Sequence, residues 1–221
     1  MLVEKADRYI SIFHKSTVYY VYMDLIFQLI ILIISIMAHE VAHGAMAYAF
    51  GDNTAKREGR LTLNPIKHID FIGSIIVPLL LIVSRAGFVF GWAKPVPYNP
   101  YNLRNRRLGE FMVSIAGVAT NFLIAVIFAM VLRFGAGLDL SIASISLIKY
   151  IIGMNLVLAI FNLVPIPPLD GSKIFTSILP IRYERYLVEL EKYGFLFLII
   201  FLLFFGSIIT FIVDWLFNLL V

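Results

Sequence analysis

His39-Glu40-Val41-Ala42-His43 sets two imidazoles four residues apart, with a carboxylate beside the first. On an α-helix that spacing brings His39 and His43 onto one face about one turn apart, so both rings can ligate one metal ion. Glu40 is then placed to take a proton from water at that metal, the division of labour found in hydrolytic zinc sites. So short a pattern recurs by chance in many helices, and its setting decides its weight. It lies inside an apolar run from Leu25 to Phe50, where ionisable groups are costly and are kept for a use. The bland alternative is a pair of helix histidines hydrogen-bonded to their neighbours.

A catalytic zinc takes three protein ligands and leaves one position open. The chain has no cysteine and four histidines, so the search narrows to imidazoles and carboxylates. His14 and His68 fall in polar or interfacial stretches, and His68 is at most a residue of the site's entrance. Asp170 is the candidate third ligand. It closes Pro165-Ile166-Pro167-Pro168-Leu169-Asp170-Gly171, where three prolines end an apolar run and a glycine leaves room beside the acid. The alternative is that Asp170 caps the helix that follows or makes an Asp-Gly turn.

Composition says what must position these groups. The 221 residues are 61% hydrophobic and only 14% charged, with a mean hydropathy of +0.91. Soluble domains carry about a quarter charged residues, so this is the composition of an integral membrane protein. The formal charge of +4 reads as basic loops held on one side of a membrane, not as a nucleic-acid surface. The bilayer and a membrane-spanning protein substrate are the expected partners.

The fold expected is an all-α polytopic membrane protein with about four full transmembrane helices, over residues 25–50, 111–132, 142–164 and 195–217. Residues 71–83 are apolar but too short for a crossing and carry Gly73 and Pro78, which predicts a re-entrant or short membrane segment. A small β-prone hairpin region is expected at 87–97, where Phe88-Val89-Phe90 precedes prolines that forbid helix. Leu61-Thr62-Leu63-Asn64-Pro65 alternates before a turn signal and allows a short strand.

A single domain over 1–221 accounts for the length: an interfacial lead-in at 1–22 without the features of a cleavable signal peptide, a core at 23–171, then a basic loop and a last helix at 172–221. Basic residues concentrate in 54–70, 85–107 and 172–192, which places those loops in the cytoplasm of a multi-pass cell-membrane protein. The spans at 25–50 and 142–164 then run parallel, and the histidines and Asp170 meet at the cytoplasmic end.

These residues resemble the site-2 protease family of intramembrane metalloproteases. The resemblance rests on His39-Glu40-Val41-Ala42-His43 and on Asn162-Leu163-Val164-Pro165-Ile166-Pro167-Pro168-Leu169-Asp170-Gly171. Gly51-Asp52, Gly59-Arg60-Leu61-Thr62-Leu63-Asn64-Pro65 and Gly91-Trp92-Ala93-Lys94-Pro95-Val96-Pro97 add to it, and point to the compact prokaryotic branch without a PDZ domain. The resemblance implies one zinc per chain held by His39, His43 and Asp170, with Glu40 as general base and Asn162 near the scissile carbonyl. One departure is visible: Gly117-Val118-Ala119-Thr120-Asn121 has Val118 where the family often has proline.

The function expected is an intramembrane zinc endopeptidase that cuts peptide bonds in or near transmembrane segments. Such a substrate must be unwound locally before attack, and the β-prone piece at 87–97 offers an edge for strand addition. The competing class is a membrane metal transporter or other non-proteolytic metal binder, which would spread ionisable groups through several spans as a relay.

Overall fold

The structure is a computed structural model and describes residues 2–84, 94–135, 137, 139–180 and 184–221, with no side-chain description for 2–25, Ser74 and 184–190. Its elements are α1 (Leu2–Ala49), the single turn α2 (Thr54–Arg57), a π-helical stretch Phe71–Ile76 running into α3 (Val77–Val83), α4 (Arg106–Phe134), α5 (Ile142–Asn162), α6 (Asp170–Ile178) and α7 (Glu184–Leu220). Four stretches are long and apolar enough to cross a bilayer: Ile26–Ala49, Arg106–Phe134, Ile142–Asn162 and Glu191–Leu220. They coincide with the four expected spans. The expected lead-in and first span are one unbroken helix, α1.

Among the described residues there is no strand. Most of the expected hairpin region, 87–93, lies outside them, and Lys94 to Pro97 form an irregular run. Leu61 to Pro65 is not a strand either. Asn64 turns the chain there, its Oδ1 accepting from Ile66 N at 3.1 Å to start a 3-10 turn at Pro65–Lys67, as asparagine does before proline.

Side-chain contacts fix the directions of the spans. His43 meets Val113 and Ser35 meets Asn121, so α1 and α4 are antiparallel. Ser35 also meets Asn155, while His39 and His43 meet Asp170 beyond the end of α5, so α1 and α5 are parallel. Lys94 N donates to His68 O at 2.8 Å, so the chain on either side of the short apolar segment comes together at one point.

α4 is the central helix. Gly109, Val113, Gly117, Asn121, Ala125 and Ala129 are all buried at every fourth position along it, a stripe that lets neighbouring backbones approach closely. Val118 is buried in the same helix, which continues through it without a break. Ala125 and Ala129 join Ile148, Ile152 and Leu156 of α5 and Leu198, Ile209 and Val213 of α7 in the main apolar core. A smaller cluster of Ala47, Leu103 and Val113 lies at the end of the bundle that holds the histidines. The large apolar side chains of α7 that face outward, Phe204 and Phe211 among them, suit lipid and not water.

Candidate metal centre

His39, His43 and Asp170 come together. His39 Nε2 is 2.9 Å and His43 Nε2 3.1 Å from Asp170 Oδ2, and the two rings sit edge to face with centroids 4.5 Å apart. All three residues are buried. Asp170 is not a cap: Leu169 holds that position, and the acid stands in the first turn of α6 with its carboxylate turned to the imidazoles. Gly171 makes this possible, because a Cβ there would overlap Leu163 O.

Protons on the two rings are set from behind. Asn155 Nδ2 donates to Ile151 O at 2.9 Å and to Ser35 Oγ at 2.9 Å, which leaves its Oδ1 to accept from Asn121 Nδ2 at 2.9 Å. Asn121 Oδ1 is then the atom 2.6 Å from His39 Nδ1, and His39 donates there. His43 Nδ1 donates to Val113 O at 2.7 Å. In each neutral ring the proton thus sits on Nδ1, and Nε2 presents a lone pair to the front.

Asp170 meets those lone pairs as a carboxylate. The two Nε2 lone pairs and the carboxylate oxygen converge on one point, an arrangement that a metal cation or a proton between them relieves. Two imidazole nitrogens and one carboxylate oxygen, each backed by an outer partner or helix, are a donor set that fits zinc. The structure carries no ion; the donors all lie within 4.8 Å of one another.

Glu40 and Asn162, the two expected catalytic side chains, line the same cleft of about 160 Å³ as the three donors. Glu40 Oε2 accepts from Val96 N at 2.8 Å. Asn162 Nδ2 donates back to Leu158 O at 2.9 Å, which orients the amide at the end of α5. Gly117 lies against both imidazoles: a Cβ on it would be 2.6 Å from His43 Cε1 and Nε2 and 2.7 Å from His39 Cε1.

His68 takes no part. It is buried, with Nε2 2.8 Å from Thr62 O, and it does not line the cleft. Three contributors were not singled out from the sequence: Tyr98, Lys173 and the backbone N–H of Val96. Lys173 and Tyr98 both line the cleft, with the Lys173 ammonium 5.6 Å from the Tyr98 ring centroid. Burial pushes the Tyr98 hydroxyl above its usual pKa, and the nearby Lys173 charge offsets this only in part. Lys173, one turn beyond Asp170 on α6, was findable from that spacing.

Comparison with known proteins finds zinc metalloproteases among the relatives of this chain. The model of "Peptidase family M50" matches residues 135–205, which include Asn162 and Asp170 but not the histidine pair. A Bacillus subtilis protein titled "Putative zinc metalloprotease YwhC" is 43% identical over 188 residues, 82% of each chain. "Putative zinc metalloprotease Rip2" of Mycolicibacterium smegmatis is 31% identical over 173 residues, 77% of this chain and 64% of that one. "Zinc metalloprotease MJ0392" of Methanocaldococcus jannaschii is 35% identical over 75 residues, 34% of this chain and 21% of its own length. No solved structure matches.

Proposed function

The chain belongs to peptidase family M50, and from that premise we propose that it is an intramembrane zinc endopeptidase acting on membrane-spanning proteins. The observation that carries the reading is the convergence of His39 Nε2, His43 Nε2 and the Asp170 carboxylate beside Glu40 in one cleft. Those three residues would hold one zinc. When bound, zinc lowers the pKa of water toward neutrality and polarises a carbonyl oxygen.

The chain's own residues supply the rest. Glu40 takes a proton from the attacking water as its oxygen bonds to the scissile carbonyl carbon, then passes that proton to the amide nitrogen as the C–N bond breaks. Asn162 donates a hydrogen bond to the carbonyl oxygen as negative charge develops on it. Asn121 and Val113 O keep the imidazoles turned to the front.

The histidines lie near the end of the span Ile26–Ala49, at the same end as α2 and the loop before α4. That end carries Lys56, Arg57, Arg60, Lys67, Arg104 and Arg107, which supports a cell-membrane protein with its cleft toward the cytoplasm. The chain lacks cysteine, so single-cysteine labelling tests this directly. Glu58→Cys reacts with an impermeant maleimide only in inside-out vesicles, and a cysteine at Gly137 only in right-side-out ones; the reverse pattern overturns the orientation.

The test of function is co-expression with a panel of single-span proteins. Glu40→Gln abolishes cleavage and keeps zinc. Zinc flux into liposomes with no peptide cut, unaffected by Glu40→Gln, would instead identify a transporter.

A further inference from the structure

A carboxylate that moves protons is better aimed when one oxygen is held and the other is left to water. Glu40 Oε2 is held by Val96 N at 2.8 Å. That donor is singular: residues 95 and 97 on either side are prolines, which have no N–H to offer. The run cannot be steadied by helix or ladder bonds, so something else must fix it.

Arg60 does so from one side. Its Nη2 donates to Lys94 O at 2.9 Å and to Pro95 O at 3.2 Å. Arg60 is buried, and its Nε has no partner. A guanidinium placed there against that cost is consistent with a role in holding Lys94 and Pro95. Behind them His68 O accepts from Lys94 N at 2.8 Å, and beyond them Asp52 Oδ2 accepts from Asn99 N at 2.7 Å. From below, Gly44 lets the run close on α1 one turn past Glu40, because a Cβ there would be 2.6 Å from Val96 Cγ1.

We infer that Lys94 to Pro97 is a positioning strap for Glu40: Arg60 sets the strap, and the lone Val96 N–H fixes Oε2 so that Oε1 faces the cleft. This rests on Glu40 being the general base. It assigns Arg60 and Val96 to the reaction without placing either in contact with substrate. A strap that only stitches the loop to the bundle would affect folding and leave the turnover of folded protein alone.

The decisive pair is Val96→Ala against Val96→Pro. Both lose the branched side chain, and proline alone replaces the N–H with a ring carbon, which removes the donor, while Pro97 already keeps residue 96 out of the helical region. The probe is a fluorophore- and quencher-labelled polyleucine span broken centrally by Asn-Pro, in liposomes with the full chain. Val96→Pro is expected to have a kcat about 10- to 100-fold below Val96→Ala, the loss that misplaced catalytic groups incur, at equal zinc content and with KM within about twofold. Arg60→Met lowers kcat on its own and adds less than about twofold in the Val96→Pro background, because both act through one contact.

Equal kcat for the two Val96 variants overturns the strap, while an inactive Glu40→Gln leaves the base reading standing. An active Glu40→Gln overturns the base reading itself. Amide hydrogen exchange at Val96 decides independently of turnover, and decides alone if Val96→Pro does not fold or the probe is not cut. Glu40→Ala speeds Val96 exchange by about tenfold or more if the bond is made in solution, and an unchanged rate overturns the inference.

Discussion

Gly117→Ala adds one methyl group in front of both imidazoles. Its Cβ would stand 2.6 Å from two atoms of His43 and 2.7 Å from His39, against 3.4–4 Å for ordinary contact. Neither ring can retreat without cost, since His43 Nδ1 is tied to Val113 O and His39 Nδ1 to Asn121 Oδ1. Overpacking of this kind costs about 1–3 kcal/mol. Charged to the geometry of the donors, that is about 5- to 150-fold in zinc affinity. Alanine is also the better helix former by about 1 kcal/mol, which offsets much of the effect on the fold. The two consequences separate: zinc affinity, from competition with a chelator of known strength, falls by about fivefold or more while the melting temperature of the zinc-free protein changes little. Zinc affinity equal to that of the unchanged chain would refute a centre packed against α4.

Asn121→Ala removes the acceptor behind His39 and lowers zinc affinity about 10- to 100-fold, with Asn121→Asp restoring part of it; chelator competition measures both. Gly171→Ala drives a methyl group into Leu163 O and displaces Asp170, so zinc is lost even where circular dichroism reports an intact helix content. Asp52 gives a pH signature away from the metal. Burial raises its pKa, but donors from Thr54, Asn102 and Asn99 lower it more, so the folded value lies below the ordinary 3.8. A depressed carboxylate contributes fully above its unfolded pKa and loses that contribution as pH falls through the folded one. Melting temperature therefore drops below about pH 4, and Asp52→Asn flattens that acid arm; an equally steep arm in the variant would count against the assignment.

The four spans were legible because hydropathy over a bilayer's thickness leaves little alternative to helix. Asp170 was legible as a candidate third ligand because the prolines before it end α5 and the basic loops set the span directions. Asn121 was visible as a polar residue but not as the partner of His39, since that depends on the register between α1 and α4, which no periodicity encodes. The same is true of Val96: the prolines announced an irregular run, but the one amide between them is a backbone group and carries no signature in residue type. At Leu61 to Pro65 alternation suggested a strand, and the local chemistry of Asn64 before Pro65 prevailed. His68 read as a loop residue near the site's mouth, whereas it is buried as a brace for the strap.

The acid that completes the donor set arrives on the first turn of α6, after three of the four spans have been synthesised. A nascent chain that has laid down both imidazoles still lacks its third donor for well over a hundred residues of translation. Until that turn docks, the two imidazoles stand without the carboxylate that completes the set. The order of the parts along the message thus makes the ion site one of the last features of the bundle to be assembled.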